Sequence, residues 1–91
     1  MSQIHVRVTG RVQGIGYRAW VMEQAEVFGL SGWVRNLGDG SVEAVFAGDH
    51  SLISDMLNRL WQGPAGTRVT DVAPEPYEDE VLQGFEVRDD G

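Results

Sequence analysis

No cysteine and no lysine occur in these 91 residues. The first absence excludes disulfide staples, thiolate metal sites and cysteine nucleophiles together, so stability has to come from packing. The second excludes Schiff-base chemistry and the lysine on which ATP-type phosphate loops depend. Basic residues are few: 7 arginines face 14 acidic side chains, a formal net charge of −7. Nucleic-acid affinity draws on clustered cations that release counterions, so no nucleic-acid partner is expected. The opening Met1-Ser2-Gln3-Ile4-His5 lacks the basic and apolar parts of a signal peptide, and no apolar run approaches spanning length. A cytoplasmic location without a membrane partner is the expectation.

What is present reads as one globular domain, residues 1–91, with 42% hydrophobic and 23% charged residues. Residues 4–12 alternate, with Ile4, Val6 and Val8 on one face and His5, Arg7 and Thr9 on the other, as in a half-buried strand. Val21, Met22, Ala25 and Phe28 recur at helical spacing from about Ala19 to Phe28, and Gly29 is placed to stop that helix. Trp33–Leu37 and Ser41–Ala47 are β-rich and meet at Gly38-Asp39-Gly40, a hairpin signal. Asp49 or Ser51 can cap a second helix carrying Leu52/Ile53, Met56/Leu57 and Leu60/Trp61 as one apolar stripe, ended by Gly63-Pro64. Arg68–Ala73 reads as a strand that Pro74 and Pro76 confine to an edge or a turn. An acidic loop at 77–83 and a short strand around Phe85 and Val87 complete the chain. The order βαββαβ with a short C-terminal strand predicts an α+β sandwich, two helices on one face of a mostly antiparallel sheet.

The segment that carries chemistry is Val8-Thr9-Gly10-Arg11-Val12-Gln13-Gly14-Ile15-Gly16-Tyr17-Arg18, a strand passing through a glycine-rich loop into a helix start. Gly14 and Gly16 tolerate positive φ, so backbone N–H groups can converge into a nest for an anion at the positive end of the helix. Arg18 closes the nest with a forked, permanently charged guanidinium that matches two phosphate oxygens. Four of the arginines, Arg7, Arg11, Arg18 and Arg35, fall early, whereas the acids gather late, as in Glu75–Glu80 and Asp89-Asp90. A local positive potential is compatible with that asymmetry, as is an ordinary solvated surface.

A second block, Gly32-Trp33-Val34-Arg35-Asn36-Leu37-Gly38-Asp39-Gly40-Ser41-Val42, is followed after five residues by Gly48. Together the two blocks closely resemble the acylphosphatase family, small hydrolases of the carboxyl-phosphate bond. The first follows the pattern V-x-G-x-V-Q-G-V-x-F-R, with Ile15 for valine and Tyr17 for phenylalanine. The second follows G-W-V-x-N-x-x-x-G-x-V-x5-G without departure, and the resemblance extends over nearly the whole chain. It implies a ferredoxin-like sandwich. A monomer is the default expectation, and the good carboxylate leaving group means that no metal or cofactor is required. The resemblance also implies that Arg18 and the backbone N–H groups of Gln13, Gly14, Ile15, Gly16, Tyr17 and Arg18 hold the substrate phosphate. Asn36 then orients the attacking water. The substrate is an acyl phosphate, and inorganic phosphate is both product and competitive inhibitor.

Plainer readings stand beside these. Asn36 also suits a turn near Gly38-Asp39-Gly40. Arg18 also suits a surface position, although the N-terminal end of a helix disfavours a cation and calls for a compensating anion. Gln13 reads as a loop-shaping side chain, Arg11 and Arg35 as solvated strand-edge charges, and Trp20, Trp33 and Trp61 as packing residues rather than a base-stacking platform. Trp20 and Tyr17 are the apolar candidates for contact with the acyl group. His5 and His50 lack a third ligand at metal spacing, and Glu75, Glu78, Asp79 and Glu80 lack the spacing of a calcium loop, so no metal site is expected. The alternative function is a non-catalytic phosphate- or anion-binding regulatory module on the same fold. A further option is the acylphosphatase-like front domain of larger carbamoyl-transfer maturation proteins; with no linker or cysteine motif after Gly91, an independent enzyme is expected.

Overall fold

Alternation along the strands decides which side chains are shared between sheet and helices. The computed structural model describes residues 1–91. The chain runs β1 (Ser2–Arg11), α1 (Tyr17–Val27), β2 (Ser31–Asn36), β3 (Val42–Gly48), α2 (His50–Leu60), β4 (Arg68–Pro76) and β5 (Phe85–Val87). The sheet order is β4-β1-β3-β2-β5, antiparallel throughout except that β5 runs parallel to β2. Val6 and Val8 of β1, Val34 of β2, and Val42, Ala44 and Phe46 of β3 face the helices and meet Val21, Ala25, Ile53, Met56 and Leu60 in one core. Burying each such side chain stabilises the fold by about 1.5–3 kcal/mol. This is the expected ferredoxin-like α+β sandwich with both helices on one face.

Local chemistry sets the element boundaries. Asp49, with extended backbone, caps α2 by accepting from the Ser51 N–H at 2.9 Å. Gly16 caps α1 without a side chain, so that helix begins at Tyr17, ahead of the expected Ala19. At its other end the Leu30 N–H returns to the Ala25 carbonyl at 2.9 Å, which satisfies one of the last carbonyls. β4 continues through Pro74 and Pro76, beyond the expected Ala73. It pairs only with β1, so it is an edge strand, and a proline whose missing N–H falls on the free side removes no ladder bond.

The opposite face of the sheet departs most from expectation. Trp33 and Val45 are buried there, at 7% and 0% exposure, although no helix covers them. The segment after β4 folds back instead. Gln3 Nε2 donates to the carbonyls of Tyr77 (3.0 Å) and Asp79 (2.9 Å), and the Tyr77 ring stacks on His5. Arg35, expected as a solvated strand-edge charge, instead donates to Glu43 Oε2 at 2.6 Å and lies over Trp33, whose ring Arg88 also approaches. Trp33 packs as expected. Trp61 does not; it is 49% exposed, because α2 ends at Leu60 and turns the next side chain to solvent.

Candidate active site

Where β1 ends, Val12 turns into the core and the chain makes a short loop before α1. Gly14 and Gly16 both take left-handed conformations, φ 76° and 81°. Alternate residues of this hand aim successive N–H groups toward one point. None of the N–H groups of Gln13, Gly14, Ile15 and Gly16 donates to another protein group. The first helical bond runs from the Trp20 N–H to the Gly16 carbonyl at 3.0 Å, which leaves the N–H groups of Tyr17, Arg18 and Ala19 ahead of it also pointing out of the helix end.

The side chains of the loop serve a different purpose from its backbone. Gln13 Nε2 donates to the carbonyls of Leu37 (2.9 Å) and Ser41 (2.8 Å), and so ties the loop to the hairpin between β2 and β3. The hairpin is itself closed by the Leu37 N–H on the Ser41 carbonyl and by the Asp39 carboxylate, which accepts from the Ser41 N–H and hydroxyl. These hydrogen bonds hold the Asp39 carboxyl below the usual aspartate range. Ile15 packs against the edge of the core. Tyr17 turns fully inward, 1% exposed, and its hydroxyl donates to the Leu60 carbonyl at 2.8 Å. Burial pushes that hydroxyl well above the ordinary tyrosine range. The Tyr17 hydroxyl thus bolts α1 to α2 while Tyr17 also lines the recess beside Arg18, and the Trp20 ring lies tilted against the Tyr17 ring, centroids 5.5 Å apart.

Asn36 ends β2, opposite Val42, with 8% of its surface exposed. Its Oδ1 is buried and accepts no hydrogen bond from the protein. An acceptor in that state costs about 1–3 kcal/mol unless something else supplies the hydrogen. Asn36 is one wall of a recess of about 230 Å³ that is also lined by Val12, Gly14, Gly16, Tyr17, Arg18, Ala19 and Val87. Arg18 is the single charged residue among those walls. A larger hollow of about 390 Å³, between Trp33 and the segment Glu80–Gly84, shares no residue with this one.

The fold therefore brings Arg18, Asn36 and the two left-handed glycines of the loop together around one small recess. It also brings a group that the sequence reading missed. Asp90 Oδ1 lies 3.5 Å from Arg18 Nη1, across a separation of 72 residues. The Arg88 N–H bonds to the Val34 carbonyl and the Gly91 N–H to the Asn36 carbonyl, each at 2.8 Å, so the segment after β5 runs on beside β2. The cation at the head of a helix called for an anion, but nothing in the local pattern pointed to Asp90.

A family model described as acylphosphatase matches residues 4–87. An acylphosphatase of Rhodopseudomonas palustris is 51% identical over 84 residues, covering 90% of this chain and 85% of the relative. The solved acylphosphatase of Coxiella burnetii is 40% identical, with a TM-score of 0.91 over 96% of this chain and 92% of that one. That of Bacillus subtilis is 31% identical, with a TM-score of 0.93 over 97% and 99%. Sequence and architecture agree over almost the full length of both partners in each comparison, and the chain belongs to the acylphosphatase family.

Proposed function

We propose that this chain acts as one independent catalytic domain, residues 1–91, that hydrolyses acyl phosphates without a metal or cofactor. The backbone N–H groups of residues 13–18 and the Arg18 guanidinium bind the phosphoryl oxygens. Asn36 holds a water against the phosphorus, with Oδ1 accepting one of its hydrogens. The water oxygen forms the new bond to phosphorus as the bond from phosphorus to the carboxylate oxygen breaks; the carboxylate leaves with that electron pair. An amide is too weak a base to take the water's proton, which passes to a phosphoryl oxygen, giving a carboxylate and inorganic phosphate. Because the leaving group is a good one, positioning and charge stabilisation suffice, and a Lewis acid has little to add. Phosphate fits the same donors and inhibits competitively. The protein works as a monomer in the cytoplasm; no helix is long and apolar enough to cross a membrane.

The observation that carries this reading is that Asn36, whose Oδ1 is buried without a protein partner, lines the same recess as Arg18 and the left-handed glycines. Its test is hydrolysis of benzoyl phosphate in the presence of chelator, beside a p-nitrophenyl phosphate control and the Arg18→Gln variant. Chelator-insensitive turnover of the acyl phosphate alone is expected, with loss of phosphate inhibition in Arg18→Gln. Folded wild-type protein that binds phosphate and turns nothing over would assign the recess to a regulatory, non-catalytic module. An unchanged inhibition constant in Arg18→Gln would remove Arg18 from the clamp.

A further inference from the structure

The recess is assembled from two segments that the sheet does not join. Gly14, Gly16 and Arg18 lie on the loop and the start of α1, whereas Asn36 lies at the end of β2. The ladder between β1 and β3 stops at Val8 opposite Val42; past that point β1 continues beside β4 alone, as far as Arg11. The side-chain amide of Gln13 closes the gap. Its Nε2 has two hydrogens and two acceptors, the Leu37 carbonyl at 2.9 Å and the Ser41 carbonyl at 2.8 Å. A pair of carbonyl partners settles which end of the amide is the nitrogen. No other hydrogen bond joins residues 12–18 to residues 36–42. Both acceptors adjoin Asn36: Leu37 follows it in the chain, and Ser41 precedes Val42, the residue paired with it across the hairpin. Neither carbonyl depends on Gln13, since the first also accepts from the Gly40 N–H (3.2 Å) and the second from the Leu37 N–H (2.9 Å). The hairpin is thus closed without Gln13, and the amide decides where it stands relative to the loop.

Resting on the hydrolytic reading above, we infer that Gln13 is a positioning residue for the reaction, whose side-chain amide sets the distance between the phosphorus held at the loop and the water held by Asn36. The backbone N–H of the same residue donates to no protein group and belongs to the phosphate nest, so phosphate and hairpin are both registered against Gln13. Attack requires the water oxygen about 3–3.5 Å from phosphorus and in line with the leaving oxygen, and a misplacement of about 1 Å costs on the order of 10²-fold in rate. Phosphate binding makes no such demand, because the loop and Arg18 supply its donors by themselves. Loss of the Gln13 amide therefore falls on kcat, through Asn36, and spares the affinity for phosphate.

The experiment measures kcat for benzoyl phosphate, the phosphate inhibition constant and the urea midpoint in wild type, Gln13→Met, Asn36→Ala and the double variant. Methionine keeps the length and bulk of the side chain and removes both donors. Gln13→Met is expected to lower kcat by about 10- to 10²-fold, with the phosphate inhibition constant within about twofold of wild type. On the Asn36→Ala background, where no water is held, the same change should lower kcat by less than about threefold, the mark of two residues acting through one step. Gln13→Ala should give the same pattern and takes the place of Gln13→Met if that variant does not fold. A kcat within about threefold of wild type, an inhibition constant that worsens in step with kcat, or an equal loss on the Asn36→Ala background overturns the inference while leaving acyl phosphate hydrolysis intact. No turnover of benzoyl phosphate by folded wild-type protein overturns the hydrolytic reading and the positioning role with it.

Discussion

Arg35 and Asn36 are neighbours on β2 that point to opposite faces of the sheet, and their surroundings could hardly differ more. Arg35 is paired: its Nε–H donates to Glu43 at 2.6 Å and its guanidinium lies over Trp33. Glu43 in turn takes a second bond from His5 Nε2, also at 2.6 Å, and His5 Nδ1 comes within 3.3 Å of Glu75 without hydrogen-bond alignment. Because an ionised carboxylate only accepts, the His5 proton on that bond sits on Nε2. Asn36, in contrast, buries an acceptor that no protein group satisfies. The first arrangement spends most of its polar groups on one another, His5 Nδ1 alone being buried without a hydrogen-bond partner, and ties β1, β2 and β3 together. The second leaves a polar atom at less than its lowest energy, a state that persists where a site has something to bind. Tyr17 and Arg18, adjacent on the helix, both line the recess, the first with its hydroxyl bolted to Leu60 and the second with its guanidinium paired only to the exposed Asp90.

Substitutions on the two sides should separate cleanly into activity and stability. Asn36→Ala is expected to have the largest effect, lowering kcat by about 10²- to 10³-fold while phosphate still inhibits. Its thermal midpoint should not fall, since the change deletes an unsatisfied acceptor. A kcat within threefold of wild type would show that Asn36 does not hold the water, and a marked loss of stability would show that the amide is structural after all.

Glu43→Ala tests the paired side. It strands Arg35 and His5, both partly exposed, and should lower unfolding free energy by about 1–2 kcal/mol, measured by urea denaturation, with kcat unchanged within threefold. If activity falls as far as stability, the two faces are coupled through β2 and the contrast breaks down.

Acid titration sharpens the same point. Burial pushes the Glu43 carboxyl up, but hydrogen bonds from His5 and Arg35, helped by their charges, outweigh it and leave the group below its ordinary value of 4.5. Hydrogen bonds from Ser41 and Ser51 likewise hold Asp39 and Asp49 below 3.8. The unfolded chain binds these protons at higher pH than the folded one, so the stabilisation is present above the unfolded values and is lost as pH drops through the folded ones. The urea midpoint should be nearly flat from about pH 7 to pH 5 and then decline, and Glu43→Gln should make that decline shallower. A midpoint that rises on acidification would reverse the sign assigned to all three groups.

Tyr17→Phe should be the mildest of the four. It keeps the ring in the core and leaves the Leu60 carbonyl without its donor, at a cost of about 1 kcal/mol by thermal unfolding. Activity should be untouched, because the hydroxyl points away from the recess; a drop in kcat beyond threefold would mean that the bolt sets the position of Arg18.

Much of this was legible in the residues because it is written in neighbours. Alternation of Ile4, Val6 and Val8 against His5, Arg7 and Thr9 fixes a strand and its inward face, the four-residue repeat of Leu52/Ile53 and Met56/Leu57 fixes a helix, and Gly14 with Gly16 shapes the loop. The family resemblance followed from two such local blocks. Other features depended on distant partners. Trp61 continues the apolar stripe of α2 in sequence but falls after the helix ends. Arg35 reads as a solvated charge until β3 is laid beside β2, opposite Glu43.

Chain order and local periodicity were therefore enough to specify an α+β sandwich and to mark Arg18 at the loop, while the ferredoxin-like architecture and the candidacy of Asn36 came from the family resemblance. Only the folded sheet decided that the acid at position 90 would stand against Arg18, that Asn36 would lose every protein donor for its Oδ1, and that Gln13 would lock the loop to the hairpin. The physical reason is one of range. Dihedral preference and side-chain period act over a few residues, whereas hydrogen-bond partners across 24 or 72 positions are chosen by the order in which strands pair.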